Sequence, residues 1–203
     1  MKPNKLTNTK WLNLYEVDYE KDGKIYDMYF ASRRKEGNLD LENPNKIIND
    51  GSIVAPILNG DTLVMVKQYR PITDTYEIEF PAGLSKIGET PEECARRELK
   101  EETNLDIVSL NCLLPPRHSA TGLTDERTAI YVAKVKGDIN IYGLEESEEL
   151  DLLTVNIKDI PRFVANNNVC QRDSMIALYV YADIKNIMER LSNHNKIHKS
   201  KNF

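Results

Sequence analysis

Glu98, Glu101 and Glu102 fall within five positions of one another. At ~100° per residue, a helix would set Glu98 and Glu102 ~40° apart and Glu101 ~60° to the other side of Glu98, so all three would share one face. Like charges one turn apart cost a helix about 0.2–0.5 kcal/mol per pair. Arg96, Arg97 and Lys100 offset part of that cost. Two chemistries fit such a face. One is a plain solvated acidic surface. The other is a divalent cation site, because clustered carboxylates are the hard oxygen donors that Mg²⁺ and Mn²⁺ take, and a rigid helix holds them in fixed geometry.

Spacing separates these readings. Gly83 is followed by five residues, Glu89, seven more residues, then Arg97-Glu98-Leu99-x-Glu101-Glu102-x-Asn104-Leu105. The stretch resembles the Nudix box, GX5EX7REUXEEXGU with U apolar, at every position but one. Asn104 stands where the family has glycine. Asn is the usual second choice for the left-handed residue that ends a helix, so the exchange is expected to cost a little stability and no chemistry. The resemblance implies an α+β Nudix fold, with a mixed sheet between helices and a loop-helix-loop carrying divalent metal. It also implies hydrolysis of a nucleoside diphosphate linked to another moiety. By position, Glu98 and Glu102 look like the principal metal ligands and Glu101 a further one. The carbonyl of Ala82 joins the shell, Arg97 orients the glutamates and Glu89 supports them.

A longer stretch, 66–103, resembles the ADP-ribose pyrophosphatase branch through "QYRP", "E-x-P-A-G" and "GETP". Downstream, "SATGLTDE" resembles that branch's substrate loop, with Thr121 where a proline is typical. The resemblance implies attack of metal-activated water on a phosphorus of ADP-ribose, giving AMP and ribose 5-phosphate. The catalytic base is implied in the acidic run "GLEESEELDL": Glu148, with Glu149 or Glu146 as alternates. Arg70 is a candidate for the diphosphate, since its guanidinium can fork onto phosphate oxygens, and Gly83 for close approach to substrate. Trp11 and Tyr26 are candidates for stacking on the base. An exchange of N-terminal strands implies a homodimer.

The elements that must position these residues are readable. Thr90, Pro91 and Glu93 form a capping box with proline at the first helical position, which predicts a helix over 90–103. Residues 11–19 and 25–33 alternate about Asp22-Gly23, and "GSIVAPIL" and "TLVMVKQYR" flank Asn59-Gly60. Both patterns predict hairpins. Residues 34–46 are polar and read as a linker or exposed loop. Residues 76–80, 107–114, 128–135 and 150–157 read as strands. A helical turn is expected near 157–161, and a helix over 173–191 with Ile176, Tyr179, Val180, Ile184, Ile187 and Leu191 inward. The expected organisation is an N-terminal hairpin region and linker at 1–46, a Nudix domain at 47–192, and a polar basic tail at 193–203.

Composition sets the frame. With 40% hydrophobic and 29% charged residues and a net charge of -5, the 203-residue chain reads as globular. Its acidity argues against nucleic-acid binding. No apolar run approaches the ~20 residues of a membrane span, and the N-terminus has no signal-peptide core. Cys94, Cys112 and Cys170 are expected as unpaired thiols in a reducing cytoplasm, and His194 and His198 as part of a solvated tail. Besides ADP-ribose hydrolysis, two functions are consistent with these residues: a pyrophosphatase for another nucleoside diphosphate sugar, and a Nudix-fold sensor that binds without cleaving. The intact carboxylate set argues against the sensor.

Overall fold

The computed structural model describes residues 2–141 and 150–199, with side chains in the last helix described to residue 185. Strand β1 is Pro3–Lys5, β2 Asn13–Lys21 and β3 Lys24–Ser32. They form a separate antiparallel sheet in the order β1-β2-β3. Asp22 and Gly23 both take positive φ, 54° and 72°, as a tight two-residue hairpin turn requires. Register pairs Tyr15 with Phe30, Val17 with Met28 and Tyr19 with Tyr26.

A second sheet contains β4 (Gly51–Leu58), β5 (Thr62–Arg70), β6 (Thr75–Glu79), β7 (Ala82–Leu84), β8 (Asp106–His118), β9 (Arg127–Lys136) and β10 (Leu150–Asn156). Its path is β10-β5-β4-β9-β8, with β6 on β5 and β7 on β4. Strand β4 is buried from Gly51 through Ile57, the continuous pattern of a strand covered on both faces. The β4–β5 turn again uses two left-handed residues, Asn59 and Gly60. The helices are α1 (Pro91–Thr103), α2 (Ile160–Asn166), reached through a 3-10 turn at Ile157–Asp159, and α3 (Gln171–Lys199). The expected α+β class with a separate N-terminal sheet is what is found.

The chain divides into two compact units. The first joins residues 1–53, 83–95 and 112–130. Its buried residues include Tyr15, Val17, Leu39, Ile53, Cys94 and Ala95. The second joins residues 54–82, 96–111 and 131–203. It has the larger apolar core, with Leu63, Val64, Met65, Phe80, Leu99, Leu105, Ile160 and Ala177 all at most 1% exposed.

Several expectations need correction. Residues 34–46 are irregular and mostly exposed, as expected, but two of them are buried. Leu39 is fully buried and Arg34 is 8% exposed. Arg34 escapes the polar reading because three aspartates neutralise it in place, as described below. Helix α3 starts before residue 173 and continues past 191 to Lys199. Its buried stripe is Asp173, Ile176, Ala177 and Val180, while Tyr179 is half exposed. Ile187 and Leu191 have side chains outside the described residues, as do His194 and His198. Strands β1 and β7 were not anticipated, both being three residues long. No described helix is long and apolar enough to cross a membrane, and none of the three cysteines forms a disulfide.

Candidate functional site

Helix α1 begins as its sequence dictates. The Thr90 N–H donates to Glu93 Oε2 at 2.8 Å, and the Glu93 N–H donates back to Thr90 Oγ1 at 3.2 Å. The reciprocal pair is the capping box. It holds the Glu93 carboxyl below the usual carboxylate range, chiefly through the Thr90 backbone N–H. At the other end Asn104 sits at φ 58°, the left-handed stop expected of it, and Lys100 Nζ donates to its carbonyl at 2.9 Å. Leu99 is fully buried and Thr103 Oγ1 donates to Leu99 O at 2.6 Å. These contacts fix the helix rotation, and rotation decides which way the glutamates face.

Glu98 and Glu102 are buried, at 9% and 6% exposure, and the Glu101 side chain is 36% exposed. Arg97 Nη1 donates to Glu98 Oε1 at 2.6 Å and to Glu101 Oε2 at 3.0 Å. The three carboxylates are thus gathered on one face and tied in part by one guanidinium. They are not closed into a chelate: among the described residues no three acidic, histidine or cysteine side chains converge on a single point.

Arg70 ends β5 and forks onto Glu79, donating from Nε and Nη2 at 2.7 Å each. The two are not directly paired in the strand ladder, where Arg70 opposes Thr75 and Glu79 opposes Val66, so the contact is made by the long side chains. Glu79 holds the Arg70 guanidinium above its ordinary pKa against the lowering effect of burial, and Glu102 adds a smaller attraction. Arg70 and the acidic face therefore belong to one electrostatic neighbourhood within the second unit. Ala82 is half-buried in the same unit, following Pro81, whose carbonyl accepts from Val54 N–H at 2.9 Å.

The first unit holds the rest of the box. Gly83 lies in β7, and a Cβ at Gly51 would come within 2.6 Å of Gly83 O, so glycine at 51 permits this close backbone approach. Glu89 closes the loop ahead of α1: the Lys86 N–H donates to its Oε2 at 2.8 Å, and its own N–H donates to Lys86 O at 3.0 Å. Trp11 is 67% exposed, lies ahead of β2, and has Lys10 Nζ 4.4 Å over its ring. Tyr26 is on β3, 42% exposed and stacked on Tyr19 at 5.6 Å. Glu148, with its alternates Glu146 and Glu149, lies outside the described residues.

Sequence reasoning missed Glu79, Arg172 and Asp173 as a group. Glu79 opens the "E-x-P-A-G" motif, which was a usable signal. For Arg172 and Asp173 nothing local distinguishes them from the charges that open any helix. The first unit also holds a cavity of about 690 Å³ lined by Lys35, Lys46, Lys86 and Asn49 among others.

Known proteins give this geometry a context. The NUDIX domain family matches residues 48–169. The chain is 32% identical to a methanol dehydrogenase activator of Bacillus methanolicus over 148 residues, 68% of this chain and 80% of that one. It is 28% identical to an ADP-ribose pyrophosphatase of Bacillus subtilis, over 82% of this chain and 90% of that one. Its fold resembles a solved ADP compounds hydrolase with a TM-score of 0.65 at 23% identity, covering 92% of this chain and 96% of the other. With the box matched at every position but Asn104 on a capped α1 and the family matched over more than half its length, the chain belongs to the Nudix hydrolase family.

Proposed function

We propose that the protein hydrolyses the pyrophosphate bond of ADP-ribose, giving AMP and ribose 5-phosphate, with Mg²⁺ or Mn²⁺. One observation carries the reading: three carboxylates share one face of α1, and two of them are buried. Buried anions a turn apart are costly unless a cation neutralises them. The Arg97 guanidinium donates to Glu98 and Glu101. The donor set is all hard oxygen, which suits Mg²⁺ and Mn²⁺. Glu98, Glu101, Glu102 and the Ala82 carbonyl would hold the ion. When bound, it would polarise the phosphates and lower the pKa of the attacking water.

The chain's own residues do the rest. Arg97 orients Glu98 and Glu101. Arg70 offers the N–H donors outside its Glu79 fork to a phosphate. Gly83 admits substrate next to the backbone, and Trp11 or Tyr26 stacks on the base. Glu148 takes the proton from water. The B. subtilis relative supports the choice of ADP-ribose. The N-terminal sheet supports a homodimer: Tyr19, Tyr26 and Met28 lie on one face and are 37%, 42% and 47% exposed, an apolar patch of the kind that binds another protein. A cytoplasmic location accords with cysteines that form no disulfide.

The test is a panel of nucleoside diphosphate derivatives incubated with Mg²⁺, with products identified. AMP and ribose 5-phosphate from ADP-ribose is the expected outcome. Cleavage of a GDP- or UDP-sugar with ADP-ribose untouched would instead favour the alternative nucleotide-sugar pyrophosphatase, and binding without cleavage would favour a sensor.

A further inference from the structure

Arg172, on the first turn of α3, is brought to β6 by backbone bonds. The Ile78 N–H donates to Asn168 O at 2.9 Å, and the Cys170 N–H donates to Ile78 O at 3.0 Å. Its guanidinium forks onto the neighbouring Asp173, with Nε on Oδ1 and Nη2 on Oδ2 at 3.1 Å each. Asp173 is fully buried. Burial pushes its carboxyl up, while Arg172 and the Phe80 N–H pull it down. The fork therefore aims Arg172 and removes much of its rotamer freedom before any ligand arrives.

Arg172 Nη2 stands 3.8 Å from Glu79 Oε2. That is an ion-pair distance, not a hydrogen bond. Glu79 already accepts a bond on each oxygen from Arg70. Two guanidinia thus flank one carboxylate, and Arg172 lowers the Arg70 pKa by like-charge repulsion. Their side chains stay 44% and 36% exposed. Each fork uses two of the five N–H donors of an arginine, leaving three apiece. Paired guanidinia with spare donors match a diphosphate, whose anionic oxygens sit on two phosphorus atoms and accept planar bidentate bonds. We propose that Arg172 is a second anion-binding residue of the pyrophosphate site, paired with Arg70 across Glu79. This rests on the reading above that the site takes a pyrophosphate.

The experiment uses Arg172→Gln and Arg172→Lys, with ADP-ribose kinetics in Mg²⁺, calorimetric binding of inorganic pyrophosphate without metal, and thermal midpoints. For Arg172→Gln, KM and the pyrophosphate Kd are expected to rise about tenfold, the loss of one charged fork, with the change in KM exceeding that in kcat. Arg172→Lys keeps the charge but loses the fork, so both values should lie between wild type and Gln. Unchanged KM and pyrophosphate Kd in a folded Gln variant, with only a lower midpoint, would overturn the proposal and leave Arg172 as a structural partner of Asp173. If the Gln variant does not fold, wild-type values in Arg172→Lys overturn it equally. Should wild type cleave no nucleotide, the proposed function falls, while the pyrophosphate Kd still decides the role of Arg172.

Discussion

In the first unit, Arg34 lies among three aspartates. It forks onto Asp50 at 2.9 and 2.5 Å, pairs with Asp40, and is 3.7 Å from Asp125. Asp40 also meets Arg127 Nη2 and His118 Nε2, each at 2.6 Å. The Asp50 carboxylate further accepts the Arg127 N–H at 2.7 Å. On α1 in the second unit, Glu98 and Glu101 both meet Arg97, and Glu102 shares their helix face. Both groups are largely buried and both are dense in charge, but they are arranged differently. In the first group arginines and aspartates are bonded one to another, which stabilises an otherwise irregular stretch of chain. In the second, three carboxylates are gathered on one helix face, as at sites that bind a cation or do chemistry. The comparison motivates a folding role for one cluster and the proposed metal-binding role for the other, and each can be broken by mutation.

The largest effect is expected at Glu102→Gln. Loss of this proposed metal ligand should lower the hydrolysis rate about 10³-fold, the ~4 kcal/mol that a Lewis acid contributes to such a barrier. The thermal midpoint should not fall, because a buried like charge has been removed. Near-normal turnover in this variant would end the functional assignment. Arg34→Met should do the reverse. Removing one partner of a buried ion group costs about 3 kcal/mol of stability, read by denaturant unfolding, while the folded fraction keeps its turnover.

A pH measurement sharpens the contrast further. Burial raises the Asp40 pKa, but His118, Arg34 and Arg127 hold it below the ordinary carboxylate value. A depressed folded pKa contributes stability that is present above the unfolded value near pH 4 and is lost as pH falls through the folded value. Asp40→Asn should therefore be less stable at neutral pH and less sensitive to acid below about pH 4. Parallel acid unfolding curves for the two proteins would contradict this. Smaller effects belong to the frame of α1. Thr90→Ala removes the cap and should cost about 1 kcal/mol. Asn104→Gly relieves a left-handed non-glycine residue and should gain a few tenths of a kcal/mol, with activity unchanged in either direction. A marked activity change at Asn104 would mean that the helix stop does more than end the helix.

What was legible in the sequence follows from the range of the forces involved. Asp22-Gly23, Asn59-Gly60, Thr90 and Asn104 act within four residues, so their turns, cap and stop could be read directly. The acidic face was legible because helical periodicity is also local. The Arg34 cluster was not, because its partners lie as far off as Asp125 and Arg127, and a polar stretch without periodicity looks solvated until those partners are known. Tyr179 was misplaced for a related reason. The buried stripe of α3 runs through Asp173, Ile176, Ala177 and Val180, and a buried aspartate is not read from apolar periodicity. Arg70 was legible from its phosphate chemistry, whereas its fork onto Glu79 was not, because the strand ladder pairs Glu79 with Val66 and the contact is made by side chains alone.

The central claim is the proposal that the carboxylates gathered on one face of α1 hold a divalent cation. Mn²⁺ binding followed by electron paramagnetic resonance tests it most directly, comparing wild type, Glu102→Gln and Arg34→Met under conditions where all three are folded. The account predicts saturable binding in wild type and Arg34→Met, and its loss in Glu102→Gln. Equal binding in all three, or none in wild type, would contradict it.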